Sequence, residues 1–129
     1  MNGYLLDTNA LLLALSVPEK LSAEARAAVE SGPNVLSVVS YWEVLLKSTK
    51  GTLDVGAPRQ WWRDAVEQLA ATQLLLRAEH IAPVYRLPPH HQDPFDRVLI
   101  AQTIAEDLTL ITPNAEIARY KDAGLKLIS

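Results

Sequence analysis

Short β-rich segments and helical segments alternate along the whole chain, and this alternation restricts the possible folds most strongly. Apolar or β-branched stretches predict strands at residues 4–6, 34–39, 72–77, 108–112 and 126–128. Helical spacing and capping residues predict helices at 10–15, 22–30, 40–50, 59–69, 79–86, 93–106 and 113–120. Strands that alternate with helices form crossover units around a parallel sheet. We therefore predict an α/β protein with three α/β/α layers and a central parallel sheet of four to five strands, formed by residues 1–129 as one domain.

The composition excludes several classes of function. A net charge of −3 is unlike a protein that coats nucleic acid, but it is compatible with a nuclease whose acidic metal site has a basic rim. The chain has no cysteine, which excludes disulfides and thiol catalysis and is compatible with a reducing cytoplasm. The start of the chain is unlike a signal peptide, and no apolar run approaches the roughly 18–20 residues that span a bilayer. We expect a cytoplasmic protein without a membrane partner.

Four carboxylates lie at junctions between predicted strands and helices. Asp7 ends the first strand, and Glu43 lies one turn into the helix that follows the second strand. Asp93 and Asp96 lie at the start of the long helix that ends near residue 106. Sites in open parallel sheets form beyond the carboxyl ends of the strands, where the strand order reverses. The four acids can therefore face one crevice.

Each acid also has a purely structural explanation. Residues 40–43 read Ser-Tyr-Trp-Glu, the sequence of a capping box in which Glu43 would bond to the start of its own helix. Asp93 can cap its helix ahead of a proline, with Asp96 placed favourably near the positive end of the helix dipole. Asp7 can cap the helix that follows the first strand, and its position is equally compatible with a functional role.

Together, the acids favour a site for a hard metal ion. Mg²⁺ prefers oxygen ligands, retains several waters and typically takes one or two carboxylates directly. Such an ion lowers the pKa of a water molecule and neutralises charge on a scissile phosphate. Capping and metal binding are compatible, because one carboxylate can serve both.

Four longer motifs surround these acids and cover almost the whole chain. They are LLDTN at 5–9, SVVSYWEVLLK at 37–47, HQDPFDRVLIAQ at 91–102 and LTLITPNAEIARY at 108–120. The run DPFDR, followed by LIAQ, is the most specific of them. In this order they resemble the PIN-domain family of ribonucleases and, within it, the VapC-type toxins of type II toxin–antitoxin systems.

The resemblance implies a metal-dependent endoribonuclease with a PIN-like fold. RNA phosphodiester bonds would be hydrolysed by metal-activated water, with Mg²⁺ or Mn²⁺ as the cofactor. The resemblance carries catalytic and metal-ligand roles onto Asp7, Glu43 and Asp96, and a weaker ligand role onto Asp93. It further implies a homodimer that is neutralised by a cognate antitoxin protein.

Polar residues complete the implied site, with one departure from the family pattern. The resemblance assigns supporting roles to Asn9 and Thr112, which would orient the acids or a metal-bound water. Similar proteins often carry a fourth acid at the position of Asn114, whose amide oxygen brings no charge. The number of metal ions therefore stays open. We expect Asn114 to contact a metal-bound water, with Glu116 close enough to compensate for the missing charge.

Two basic residues are candidates for RNA-binding contacts with phosphates. Lys47 lies one helical turn after the acid of its helix, a spacing that is also typical of a surface ion pair. Arg97 lies at a helix start, an unfavourable place for a cation, which favours contact with a phosphate or a carboxylate. His90 and His91 lie in a proline-flanked loop without the spacing of metal ligands, and we expect them to be solvated.

Two other functions remain open on the sequence alone. A catalytically weak or inactive PIN domain would act as an RNA- or protein-binding module, with Asn114 as a sign of lost chemistry. A phosphotransferase could use Asp7 as its nucleophile, but such enzymes need a second acid two residues later, where this chain has Asn9.

Overall fold

A five-stranded parallel sheet forms the centre of the molecule. The computed structural model describes residues 2–129, and its strands are Tyr4–Leu6 (β1), Asn34–Ser37 (β2), Thr72–Leu74 (β3), Thr109–Ile111 (β4) and Lys126–Ile128 (β5). Every neighbouring pair is parallel, and the order across the sheet is β3-β2-β1-β4-β5. The predicted parallel α/β architecture is therefore confirmed.

Helices connect the strands throughout the described part of the chain. The α-helices are Thr8–Ser16 (α1), Ala23–Ser31 (α2), Val38–Thr49 (α3), Pro58–Gln68 (α4), Ala78–Ile81 (α5) and Pro94–Ala105 (α6). Three further segments are 3₁₀ helices: Pro18–Lys20, Ala82–Arg86 and Ala115–Ala123. The helix predicted at 79–86 is split because Pro83 has no amide hydrogen with which to continue α5. None of the helices in residues 2–129 combines the length and apolarity that a bilayer span requires.

Both faces of the sheet are covered, which gives three layers. Successive residues of a strand point to opposite faces, and Leu5 and Leu6 of β1 are both fully buried. Leu5 packs with residues of α6 and of the 3₁₀ segment Ala115–Ala123, whereas Leu6 packs with residues of α1, α2 and α4. Leu110 and Ile111 of β4 divide in the same way. Because both faces are buried at the centre of the sheet, β1 and β4 carry consecutive apolar residues rather than an alternating pattern.

The boundary between β2 and α3 differs from the prediction. β2 ends at Ser37 and α3 begins at the next residue, because the Ser37 hydroxyl accepts a hydrogen bond from the Val39 amide (3.1 Å) and caps the helix. The Ser40 hydroxyl instead accepts a hydrogen bond from the Thr8 hydroxyl (3.0 Å). The capping-box explanation of Glu43 is therefore wrong. Glu43 is the sixth residue of α3 and lies too far along the helix to cap it.

Candidate metal centre

The carboxyl ends of the central strands form a crevice that holds the predicted acids. The chain runs outward from β1 to β2 and β3, then crosses back to β4 on the other side of β1. Open parallel sheets form their binding sites at such a reversal. Asp7 directly follows β1 and Thr112 directly follows β4, while Glu43 and Asp96 lie on α3 and α6, which contact each other. The crevice thus gathers one acid from each of three elements.

Asp7 is the most deeply buried acid of the crevice. Its Oδ1 accepts a hydrogen bond from the Ala10 amide (2.7 Å), which caps α1, and only 1% of the residue is exposed. Burial raises the pKa of Asp7 to about 6, although hydrogen bonds from Thr112 and Ala10 partly offset it. The charges of Asp96 and Glu43 raise the pKa further, because like charges disfavour ionisation. The hydrogen bonds with Ala10 and Thr112 use only part of the acceptor capacity of the carboxylate, which can still bind a ligand.

Glu43 has a buried oxygen that lacks a hydrogen-bond partner. The residue is 5% exposed, and its Oε2 lies 2.9 Å from Nζ of Lys47. Its Oε1 is buried and receives no hydrogen bond from the described residues. A buried carboxylate oxygen without a partner is costly and requires an explanation. A cation bound to Oε1 of Glu43 would explain why the protein leaves this oxygen without a hydrogen bond.

Asp96 lies in the first turn of α6, where Asp93 forms the helix cap. Oδ1 of Asp93 accepts hydrogen bonds from the amides of Phe95 (2.9 Å) and Asp96 (3.2 Å). Oδ2 of Asp96 lies 2.8 Å from Nε2 of His91. Burial raises the pKa of Asp96, His91 lowers it, and the charges of Asp93 and Glu43 raise it again. The structure therefore gives Asp93 a capping role and leaves Asp96 as a partly buried acid facing the crevice.

The acids of the crevice repel one another, and a divalent cation would relieve this repulsion. In addition to burial, the charge of Glu43 raises the pKa of both Asp7 and Asp96. Within residues 2–129, no group of three or more acidic or histidine side chains is arranged so that all of them could hold one metal ion directly. Mg²⁺ does not need such a group, because it retains several waters and takes only one or two carboxylates directly. The buried carboxylate oxygens, including the unpartnered Oε1 of Glu43, therefore fit Mg²⁺ or Mn²⁺.

The three polar residues with predicted supporting roles occupy different positions. Thr112 is buried at the end of β4 and forms a side-chain hydrogen bond with Asp7. Asn114 caps the 3₁₀ segment Ala115–Ala123, and its Oδ1 accepts a hydrogen bond from the Glu116 amide (3.0 Å). Asn9 is exposed on the first turn of α1. Of the three, Thr112 is the one in direct contact with a candidate ligand.

His91 is the residue of this region that sequence reasoning missed. It was expected to be solvated, but its ring is 16% exposed and lies between Asp96 (2.8 Å from Nε2) and Glu116 (3.1 Å from Nδ1). Burial is the largest single influence on the pKa of His91 and lowers it, but the hydrogen bonds to Asp96 and Glu116 and the charges of these carboxylates together raise the pKa above its usual value. The available signal was a histidine five residues before Asp96, in a loop that leads into an acidic helix start. The contact between His91 and Glu116 spans 25 residues and therefore leaves no pattern in the local sequence.

The guanidinium of Arg97 is bonded to the protein itself. It donates hydrogen bonds to the carbonyl oxygens of Val84, Leu87, Pro88 and His91 and to the hydroxyl of Tyr120. These bonds hold the loop at 87–92 against α6. The planar donor fork is engaged by internal oxygens, which gives Arg97 a structural role, and its contact with an RNA phosphate stays a prediction.

Lys47 lies at the open edge of the crevice. Its side chain is 43% exposed, and its Nζ forms the predicted i,i+4 ion pair with Glu43. The hydrogen bond to Glu43 raises the pKa of Lys47, which therefore stays cationic at neutral pH. This ion pair leaves part of the ammonium group facing solvent, so a phosphate contact stays a prediction.

Known proteins share both the sequence pattern and the architecture. Residues 4–123 match the family model described as the PIN domain, and no curated protein matches the chain by sequence. VapBC2 from Rickettsia felis, bound to a DNA fragment from its promoter, superimposes with a TM-score of 0.70 at 18% identity, over 97% of this chain and 96% of that one. VapBC-1 from nontypeable Haemophilus influenzae gives a TM-score of 0.66 at 18% identity, over 98% and 96% of the two chains. FitAcB from Neisseria gonorrhoeae gives 0.60 at 19% identity, also over 98% and 96%.

Proposed function

The chain belongs to the PIN domain family, and from this premise we propose that it is a Mg²⁺- or Mn²⁺-dependent endoribonuclease that hydrolyses RNA phosphodiester bonds. The observation that carries the proposal is the buried, unpartnered Oε1 of Glu43, in a crevice shared with the buried Asp7. A site that holds several carboxylates at a cost to the fold is suited to a cation that removes the cost.

Asp7, Glu43 and Asp96 would hold the ion through the oxygens that the protein leaves free. Oδ1 of Asp7 is used by the α1 cap, Oε2 of Glu43 by Lys47, and Oδ2 of Asp96 by His91. Glu43 and Asp96 each thus retain one oxygen for a direct or water-mediated contact, and the Asp7 carboxylate retains lone pairs beside its hydrogen bonds with Ala10 and Thr112. When bound, Mg²⁺ supplies an activated water nucleophile and neutralises charge on the scissile phosphate. Thr112 orients Asp7 through their hydrogen bond, and no side-chain nucleophile is required.

The position of Lys47 supports the proposal that the substrate is RNA. It is the basic residue that pairs directly with a candidate ligand and is still 43% exposed, so it can contact a phosphate that flanks the cleavage position. With a net charge of −3, the chain would rely on the metal and a few local cations rather than on a broadly basic surface.

We also propose that the protein is a cytoplasmic VapC-type toxin, homodimeric and neutralised by a cognate antitoxin protein. The PIN family match and the shared fold with VapBC structures support this assignment. Large apolar side chains on the surface support a protein partner: Trp42 is 53% exposed, Leu75 63% and Tyr85 92%. Sedimentation equilibrium tests the dimer, because a 14.2 kDa species at micromolar concentration would contradict it.

The experiment that tests the nuclease is cleavage of total cellular RNA by the purified protein. We expect cleavage with Mg²⁺ or Mn²⁺, none with EDTA, and a loss on the order of 1,000-fold in Asp7→Asn, because a catalytic ion contributes several kcal/mol to the transition state. Asp64→Asn is the matched control, since Asp64 is exposed on α4 and bonds only to Gln60 of the same helix.

The alternative is a PIN domain that binds RNA or protein without cleaving. The observation that favours it is Asn114, whose side-chain oxygen caps a helix instead of contributing charge to the crevice. Metal binding by calorimetry without cleavage of any RNA would contradict the nuclease, and cleavage that persists in Asp7→Asn would contradict the role of Asp7 in it. Binding of RNA in the absence of cleavage would establish the alternative.

A further inference from the structure

The ring of His91 bridges the crevice and a carboxylate outside it. Its Nε2 lies 2.8 Å from Oδ2 of Asp96, and its Nδ1 lies 3.1 Å from Oε2 of Glu116. The His91 side chain is 16% exposed and that of Asp96 14%, whereas that of Glu116 is 64% exposed. One ring thus connects a partly buried candidate ligand to an acid at the protein surface.

The backbone of His91 is held independently of these side-chain contacts. Its amide donates a hydrogen bond to the hydroxyl of Tyr120 (3.0 Å), and its carbonyl oxygen accepts one from Arg97 (3.2 Å). Tyr120 is fully buried, and Arg97 donates four further hydrogen bonds, three of them to carbonyl oxygens at residues 84–88. The imidazole therefore extends from a loop whose backbone is braced without the help of Asp96.

We infer that His91 is a positioning residue for Asp96, an inference that rests on the proposed metal-dependent function. By occupying Oδ2, it leaves Asp96 with the other oxygen for a divalent cation. Mg²⁺ demands near-ideal octahedral geometry and keeps several waters, so a carboxylate that binds through one fixed oxygen suits it better than one free to rotate. Residues that hydrogen bond to a ligating carboxylate commonly change metal affinity by 10- to 100-fold when they are removed.

Glu116 fixes which ring nitrogen faces the crevice. Because it holds Nδ1, the ring cannot rotate to present that nitrogen to Asp96. Glu116 lies two residues beyond Asn114, a position without a charged side chain. The contact with His91 gives Glu116 a role. Glu116 acts on the crevice through His91 rather than as a ligand.

The test compares four variants by Mn²⁺ binding, measured as free Mn²⁺ by electron paramagnetic resonance in the absence of RNA. We expect His91→Ala to weaken Mn²⁺ binding by roughly 10- to 100-fold. His91→Gln should recover most of this loss, because the glutamine amide can still donate to Asp96. Glu116→Gln should weaken binding by a smaller factor. His90→Gln is the matched control and should bind as the wild type does, because His90 contacts Asp122 and Tyr120 rather than an acid of the crevice.

RNA cleavage by the same proteins gives the second measurement. We expect His91→Ala to lower kcat with little change in KM, and the glutamine variant to restore it in parallel with Mn²⁺ affinity. Wild-type Mn²⁺ affinity in His91→Ala, or an equal loss in the glutamine and alanine variants, would overturn the positioning role. If His91→Ala does not fold, the exposed Glu116→Gln and the glutamine variant still decide the question.

The two proposals fail in different ways. Wild-type protein that binds Mn²⁺ but cleaves no RNA would remove the nuclease, while the order of Mn²⁺ affinities among the variants would still test His91. Wild-type protein that binds Mn²⁺ and cleaves RNA, with unchanged Mn²⁺ affinity in His91→Ala, would overturn the positioning role and leave the nuclease in place.

Discussion

The two ends of α6 each join a cluster of buried polar side chains, and the clusters differ in how far the protein satisfies them. At the first end, Asp96 faces the crevice with Asp7 and Glu43. At the other end, Gln102 and the capping residue Glu106 meet the completely buried His80 of α5. Both clusters contain titratable groups inside a small protein.

The cluster around His80 is closed. Nε2 of His80 lies 2.8 Å from Oε2 of Glu106, and Nδ1 accepts a hydrogen bond from the Arg77 amide (3.1 Å). Oε1 of Gln102 accepts a hydrogen bond from the Ser37 hydroxyl (2.6 Å), and Nε2 of Gln102 lies 3.3 Å from Nδ1 of His80. The network joins α5, α6 and the capped start of α3, and each ring nitrogen of His80 has a partner.

The crevice, by contrast, contains a buried polar atom that no described residue satisfies. Oε1 of Glu43 has no partner among residues 2–129, and burial raises the pKa of Asp7 to about 6. Satisfied buried networks rigidify a fold, whereas unsatisfied ones reduce its stability unless a ligand completes them. On our proposal the His80 cluster is structural and the crevice is the functional site. The contrast predicts changes in stability of opposite sign at the two ends of α6.

The largest expected change is the loss of stability in His80→Ala. Removing a fully buried ring leaves a cavity and strips partners from Gln102 and Glu106, which together should lower the free energy of unfolding by about 4 kcal/mol. Urea denaturation measures this change, and RNA cleavage per folded molecule should be unaffected. His90→Ala is the control, with an expected loss under about 1 kcal/mol because its hydrogen bond is to the exposed Asp122. Equal losses in the two variants would show that the His80 network is not structural.

At the crevice we expect a substitution to raise the free energy of unfolding rather than lower it. Asp7→Asn keeps an oxygen that can accept the Ala10 amide hydrogen bond but removes a buried charge. Because the pKa of Asp7 is about 6 in the folded protein against 3.8 ordinarily, the variant should be more stable at neutral pH by as much as about 3 kcal/mol, at about 1.4 kcal/mol for each pKa unit. A variant less stable than the wild type above pH 6 would contradict this account of the crevice.

The pH dependence follows from the direction of the shift in the pKa of Asp7. Below pH 3.8 the carboxyl is protonated in both the folded and the unfolded chain and contributes no difference. Between 3.8 and about 6 the unfolded chain loses the proton first, so wild-type stability falls as pH rises, and above 6 the loss is complete. Thermal unfolding across this range should show a steeper decline in the wild type than in Asp7→Asn, in which the raised pKa of Asp96 still contributes. Added Mg²⁺ should raise the Tm of the wild type alone.

Local sequence patterns were sufficient to predict the parallel sheet and to bring Asp7, Glu43 and Asp96 forward as candidates. Buried strands such as Leu5-Leu6 and Leu110-Ile111 are apolar without alternation. Asp7 directly follows such a strand, Asp96 lies in the first turn of α6, and Glu43 lies further along the helix after β2. These features depend on neighbours within a few residues, which a single sequence contains.

Contacts between segments that are far apart in the sequence could not be predicted from the sequence alone. Arg97 bonds to the loop before α6 because that loop folds back over the helix start, and His91 meets Glu116 from another element. The capping-box pattern failed for a different reason. Ser37 and Ser40 are both capping residues by type, and the end of strand pairing at Ser37 decides between them.

The smallest expected change lies at Lys47, which satisfies one oxygen of Glu43 while the other stays unpartnered. Lys47→Met should lower the free energy of unfolding by about 1 kcal/mol or less, because the pair is partly exposed and screened. If Lys47 also contacts an RNA phosphate, the slope of log affinity against log salt should fall by about 0.7 for single-stranded RNA. Lys50→Met is the control, since Lys50 is exposed one residue beyond α3. Identical salt slopes in the two variants would limit Lys47 to its ion pair, and the RNA would then have to be held by the metal and by other surfaces of the protein.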